Sequence, residues 1–160
     1  MPDARFLLME SIKILAATAK HHEFISSCQI RMALETEDLA LDPETVRLGV
    51  GAVLLDENKG KYFVAEDADG NPLACLLTIP EWSDWRNRTV LWIHSLYVLP
   101  AHRGQGIYKK LYLFLKDMVR KDSAYAGLRL YVDKRNTKAA EVYRKLGMSS
   151  EHYELFEWLA

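Results

Sequence analysis

The chain has 160 residues, 49% of them hydrophobic and 27% charged, which is the balance of a folded globular domain and excludes a mostly disordered polymer. Its 21 basic and 22 acidic side chains give a formal net charge of -1, so the overall field does not favour nucleic acid or an acidic membrane surface. A chain of this length buries about 70% of its unfolded surface, enough for a core without staples. The two cysteines, Cys28 and Cys75, lack the spacing of a disulfide framework, a redox pair or a zinc site. No segment approaches the ~20 apolar residues of a membrane span, and the run Phe6-Leu7-Leu8-Met9 is shorter than a signal core, so the expectation is a soluble, cytoplasmic protein with no membrane partner.

No repeat or linker divides the sequence, which reads as one domain over 1–160, with 1–11 as an N-terminal extension. Ile12 to Ala17 reads as a first strand. Lys20 to Leu34 carries Phe24, Ile25, Cys28 and Met32 at helical intervals, with Thr18 as a cap. A second helix opens on Asp42 with Pro43 at its first position, and Glu35, Glu37 and Asp38 fall in the connection between the two. Tyr62 to Glu66 and Leu73 to Ile79 are β-rich runs joined by the turn residues 67–71. The polar and aromatic stretch from Trp82 to Arg88 reads as a loop before the strand Val90 to Val98. The remaining elements are a helix from Ile107 to Arg120, a strand from Leu128 to Val132, a helix from Thr137 to Leu146 stopped by Gly147, and a closing strand from Tyr153 to Leu159. The order βααβββαβαβ implies an α/β fold with a mixed sheet and helices on both faces.

The stretch Arg103-Gly104-Gln105-Gly106 lies between a strand and a helix. Its glycines let a ligand approach the main chain, and the helix start presents unpaired N–H groups and a positive dipole end, which together make an anion cradle. The same residues also suit a plain strand-to-helix turn. The NTPase loop pattern is absent, and the dinucleotide turn would need a glycine where Lys109 stands.

Leu96-Tyr97-Val98-Leu99-Pro100 followed by Arg103-Gly104-Gln105-Gly106-Ile107-Tyr108 resembles motif A of the GNAT N-acetyltransferase superfamily, a strand ending Leu-x-Val-x-Pro and then [Q/R]-x-x-G-x-[G/A]. Tyr108 departs from the pattern, placing a phenol where the family carries Gly or Ala. Asn136, Ala139, Tyr143 and Gly147 match a second family pattern, N-x-x-A-x-x-x-Y-x-x-x-G. The two motifs cover residues 90 to 148, and the upstream elements fit the family's fold, a mixed, mostly antiparallel twisted sheet flanked by helices. The resemblance implies acetyl-CoA as donor and a primary amine as acceptor, and no metal is expected because His21, His22, His102 and His152 show none of the paired ligand spacings that zinc needs.

On that resemblance the main chain of Leu96 and Val98, with Tyr97 between them, pairs with the pantetheine arm like an added strand. The N–H groups from Gly104 through Gln105, Gly106, Ile107 and Tyr108 to Lys109 hold the diphosphate. The acceptor amine, with an ordinary pKa of ~10.4, must lose a proton before attack. His94 sits where several family members place a catalytic glutamate and is the candidate base, or else a hydrogen-bonded core histidine. Tyr143 matches the family's general acid, or else packs as an aromatic on the helix's inner face. Asn136 contacts the pantetheine arm or simply caps its helix.

Acceptor specificity in this superfamily comes from the first two helices and the loop before the motif A strand. Glu35 and Glu37 in one, and Glu81 and Asp84 in the other, would draw a cation, and Trp82 and Trp85 offer aromatic faces to an alkylammonium. The arrangement is similar to diamine and polyamine acetyltransferases. Solvated surface acids and core tryptophans are the competing explanation, and Arg86 and Arg88 would instead favour an amino acid with a carboxylate. A protein amine is a third acceptor class. A non-catalytic acyl-CoA-binding regulatory module is the alternative to an enzyme, and a nucleic-acid module using Arg103, Lys109 and Lys110 is disfavoured by the neutral charge. The C-terminal aromatics Tyr153, Phe156 and Trp158 would cover a second copy in a homodimer, or pack within the chain.

Overall fold

A computed structural model describes residues 11–158. The chain divides into two units, one through Leu130 and one from Tyr131 onward, which are described in turn. The expected N-terminal extension over 1–11 falls outside the described residues apart from Ser11.

The first unit is a five-stranded mixed sheet in the order β1 (Lys13–Ala16), β2 (Lys61–Glu66), β3 (Pro72–Ser83), β4 (Arg88–Val98) and β5 (Tyr125–Leu130). The first four strands run antiparallel to their neighbours and β5 runs parallel to β4. Parallel pairing requires a crossover, supplied by α3 (Ile107–Lys121). Helices α1 (His22–Glu37) and α2 (Pro43–Leu55) connect β1 to β2.

Both faces of the sheet are covered, as the alternation of the strands requires. Tyr62, Val64, Cys75, Leu77 and Tyr97 form one cluster with Ile25 and Cys28 of α1 and Val50 of α2. Phe63, pointing the other way, meets Phe114 of α3 edge to face with ring centroids 5.3 Å apart. Ile107, Leu111 and Leu115, the apolar stripe of α3, are all buried.

The local signals explain most boundaries. Asp42 caps α2 through a 2.8 Å bond from Thr45 N–H, with Pro43 at the first helical position. Gly70, at φ +83, sits in the turn between β2 and β3, where Asp67 Oδ1 accepts from Asn71 N–H at 2.8 Å. Thr18 precedes a short 3-10 turn, Ala19–His21, rather than α1 itself. Its N–H donates to His21 Nδ1 at 2.9 Å, which leaves the ring proton on Nε2, 2.8 Å from Glu66 Oε1. Exposed Lys20 reaches the same Glu66 Oε1 from the solvent side at 2.9 Å.

Three further expectations change in the first unit. α1 continues past Leu34 to Glu37 and stops where Asp38 takes a left-handed conformation at φ +55, so Glu35 and Glu37 are helical and not in the connection. The loop expected from Trp82 to Arg88 contracts to residues 84–87, because Asn87 at φ +48 lets the chain reverse tightly and the ladder extend to Trp82↔Thr89 and Ser83↔Arg88. β5 starts at Tyr125 and ends at Leu130, earlier than expected.

In the second unit α4 (Thr137–Lys145) is capped by Asn136, whose side chain accepts from Ala139 N–H at 3.1 Å, and Gly147 at φ +87 ends it. The closing strand expected from Tyr153 to Leu159 is absent over 153–158, and Leu159 lies outside the described residues. Tyr153, Phe156 and Trp158 are exposed there. A strand needs a ladder partner, and the aromatic-rich composition of this segment does not supply one by itself.

Candidate active site

The site is built on the second half of β4. Between Leu77↔Ser95 and Thr78↔Ile93 the ladder skips His94, so His94 is an extra residue in β4, a bulge. A bulge re-aims a side chain, and His94 is exposed although its neighbours Ile93 and Ser95 are buried. On the far side of β4, pairing with β5 ends at Ile93↔Leu130. Residues 94–98 therefore have a strand on one side only, among the described residues.

The antiparallel ladder decides which main-chain groups point to the open side. Leu99 N–H donates to Leu73 O at 3.0 Å, which makes 99 and 97 the residues that exchange bonds with β3 and leaves the N–H and C=O of Leu96 and Val98 directed outward. Val98 O accepts from Arg103 Nε at 2.9 Å. Tyr97, by contrast, turns its ring into the α1 and α2 face of the core.

Beyond β4 a short 3-10 turn, Pro100–His102, leads to Gly104 at φ +73 and Gly106 at φ +85. Both sit in the left-handed region that only glycine enters freely. A Cβ at Gly104 would meet nothing within 4 Å, so it is the backbone conformation, not packing, that favours the glycine. Gly106 is the cap residue of α3 and no side chain caps that end. The first helical bond is Lys110 N–H to Gly106 O, so the N–H groups just before it face the helix mouth. The cradle thus fits a phosphate, and it does so with main-chain groups. Gln105 commits one Nε2 hydrogen to Ala101 O at 3.2 Å, and its buried Oε1 can only accept. Ile107 is buried, Tyr108 half-buried and Lys109 exposed on the first turn, while Lys110 reaches Ile12 O at 2.6 Å.

The acids singled out from the sequence separate into two groups. Glu35 accepts the Tyr97 hydroxyl at 2.5 Å and Arg103 Nη2 at 2.7 Å, and these donors, the hydroxyl first, hold its carboxyl below the usual range. Burial, with Glu35 as acceptor, pushes the Tyr97 phenol up. Glu81 lies in β3, accepts Trp92 Nε1–H, and pairs with Arg129 at 2.8 Å. Glu37 and Asp84 are exposed, and Trp82 and Trp85 are 64% and 88% exposed at the hairpin end. Tyr143 lies half-buried on α4 of the second unit, and Asn136 is its exposed cap.

The arginine partners of Glu35 and Glu81, and the 3.2 Å bond from Gln29 Nε2 to Ser95 Oγ beside the bulge, were not anticipated from the sequence. One signal was present: Cys28, Met32 and Glu35 follow one another at intervals of four and three, so extending the helix puts Glu35 on its core face.

A mixed α/β sheet whose fourth strand opens on one side and then turns through two glycines into a helix without a side-chain cap is suited to an extended, phosphate-bearing ligand. Residues 53–148 match the acetyltransferase (GNAT) family. The chain is similar to a possible acetyltransferase from Clostridium difficile 630 at 38% identity over 93% of this chain and 97% of that one, with a TM-score of 0.88. The fold is also that of an aminoglycoside acetyltransferase from an uncultured soil metagenomic sample in complex with sisomicin (19% identity, 95% and 97% covered, TM-score 0.72). An aminoglycoside N-acetyltransferase in complex with CoA shares it as well (15% identity, 92% and 94% covered, TM-score 0.73). The chain belongs to the GNAT family and is an acetyltransferase.

Proposed function

We propose that the protein transfers the acetyl group of acetyl-CoA to a primary amine of a small cationic metabolite, a diamine, polyamine or amino acid, by direct transfer between the two bound substrates. The observation that carries the donor half is the continuous path of main-chain donors and acceptors, from the outward edge at Leu96 and Val98 to the glycine turn and the uncapped start of α3. In this reading the edge pairs with the pantetheine amides, and the N–H groups of Gly104 to Lys109 hold the diphosphate. Asn136 and Tyr143 complete the donor contacts on the family pattern.

Acetyl-CoA supplies an activated thioester carbonyl. His94, exposed on its bulge, accepts the proton of the substrate ammonium, so that the amine lone pair forms the new N–C bond as the C–S bond breaks. Tyr143 gives a proton to the leaving sulfur, and the second proton that the nitrogen sheds as the amide forms restores the phenol.

For the acceptor, Glu37, Asp84, Trp82 and Trp85 offer exposed carboxylates and aromatic faces to a cation. Glu35 and Glu81 already hold arginines. A homodimer covering Tyr153, Phe156 and Trp158, and a cytoplasmic location, belong to the same reading. Among the described residues no helix is long and apolar enough to cross a membrane.

The test is a panel of diamines, polyamines, amino acids, aminoglycosides and lysine peptides, incubated with acetyl-CoA and read by the free thiol released. Turnover with the small cationic amines supports the proposal. Turnover with peptides alone moves the acceptor to a protein amine, and CoA binding without any turnover leaves a regulatory module.

A further inference from the structure

We infer that Glu35 is a positioning residue for the diphosphate turn, acting through Arg103, and not a ligand for the acceptor's ammonium. The inference rests on the acetyl-CoA reading above. Arg103 is the last residue before the two left-handed glycines, and its side chain is held at three points. Nε donates to Val98 O at 2.9 Å, Nη2 donates to Glu35 Oε2 at 2.7 Å, and the guanidinium lies 5.1 Å from the centroid of the Tyr97 ring. Glu35 is in turn fixed by the Tyr97 hydroxyl on its other oxygen, so both of its oxygens are occupied, one by a cation.

The physical need for such a clamp follows from the turn. Glycine gives Gly104 and Gly106 their positive φ angles and also lets the unbound segment sample many others. Main-chain N–H groups hold an anion well only when their directions are set before it arrives, because ordering them on binding costs affinity. Tying the entering residue to the last turn of α1 and to the end of β4 sets one end of the turn, and Gln105 Nε2 on Ala101 O steadies its middle. The pair also offsets the carboxylate's charge, which would otherwise repel a diphosphate nearby. A carboxylate already bound to an arginine and a phenol is poorly suited to capture a second cation.

The experiment is a double-mutant cycle of Glu35→Gln and Arg103→Gln, with glutamine chosen because the family motif accepts it at position 103. Coenzyme A binding is followed by calorimetry, with steady-state kinetics using acetyl-CoA and acetyl-pantetheine, which lacks the diphosphate. The expected result for Glu35→Gln is about tenfold weaker coenzyme A binding, with the kinetic loss falling on KM for acetyl-CoA and not on kcat. KM for acetyl-pantetheine and for the amine move less than twofold, and the double variant binds no worse than Arg103→Gln alone. Coenzyme A affinity within twofold of wild type in Glu35→Gln, fully additive losses in the double variant, or a loss confined to the amine's KM would each overturn the inference while leaving the donor reading intact. Failure of the wild-type protein itself to bind coenzyme A would remove both.

Discussion

The two halves of β4 are made of similar residues and do different work. Residues 89–93 are paired on both sides, with β3 and β5, and contribute the buried side chains of Val90, Leu91 and Ile93. Among the described residues, His94 is a bulge outside the ladder and 95–98 pair on one side only. A strand with two neighbours has spent its main chain on the sheet, whereas one with a single neighbour still has donors and acceptors to offer a ligand. The change from scaffold to binding surface takes one skipped ladder position and the end of β5.

The largest effect expected from breaking this division is at the chemistry. His94→Ala and Tyr143→Phe each lower kcat by about 10²-fold or more with coenzyme A binding nearly intact, as general acid–base contributions of this kind require. Unchanged turnover in both would strip them of their roles, and a matching loss of coenzyme A affinity would make them binding residues. Next comes Gly106→Ala. A side chain at φ +85 is strained by roughly 1–3 kcal/mol, so coenzyme A affinity should fall about tenfold in a calorimetric titration while kcat at saturation changes little.

On the scaffold half, Ile93→Val removes one buried methyl beside the bulge. It should cost about 1 kcal/mol in denaturant unfolding, with activity per folded molecule unchanged. A kinetic loss there larger than the stability loss would mean that the two halves are not separable.

The smallest effect is the pH dependence of the Arg103 anchor. Glu35's carboxyl is depressed in the folded protein, chiefly by the Tyr97 hydroxyl and then by Arg103. A group lowered on folding contributes above its unfolded pKa and loses that contribution only as pH falls through the lower folded value. The difference in thermal midpoint between wild type and Glu35→Gln should therefore stay constant at neutral pH and close only below the ordinary carboxylate range, under about pH 4. A difference that closes near pH 6 would assign the anchor to a histidine.

Much of the fold was legible because its signals are local. The Asp42-Pro43 start of α2, the 67–71 turn, the apolar stripe of α3 and the glycine pair all act within a few residues. What went unread depends on distant partners. The bulge at His94 exists only because β3 and β4 differ in ladder count, and the Glu35 to Arg103 pair spans 68 positions. Trp82 and Ser83 looked like loop because of their polar neighbours, yet cross-strand pairing carries them into β3. The segment from Tyr153 has strand composition and no ladder over 153–158, which shows composition failing in the opposite direction.

The sequence by itself determined where the chain turns, which helix faces are apolar, and that a glycine turn opens a helix after the fourth strand, because steric limits on φ and the period of apolar residues are properties of a few neighbours. Only the tertiary structure decided which half of β4 keeps its main chain for a ligand, which way His94 points, and that Glu35 holds Arg103. Each of those depends on what lies across the sheet or at the end of another helix, and a linear pattern carries no distance between residues that meet only when the chain is folded.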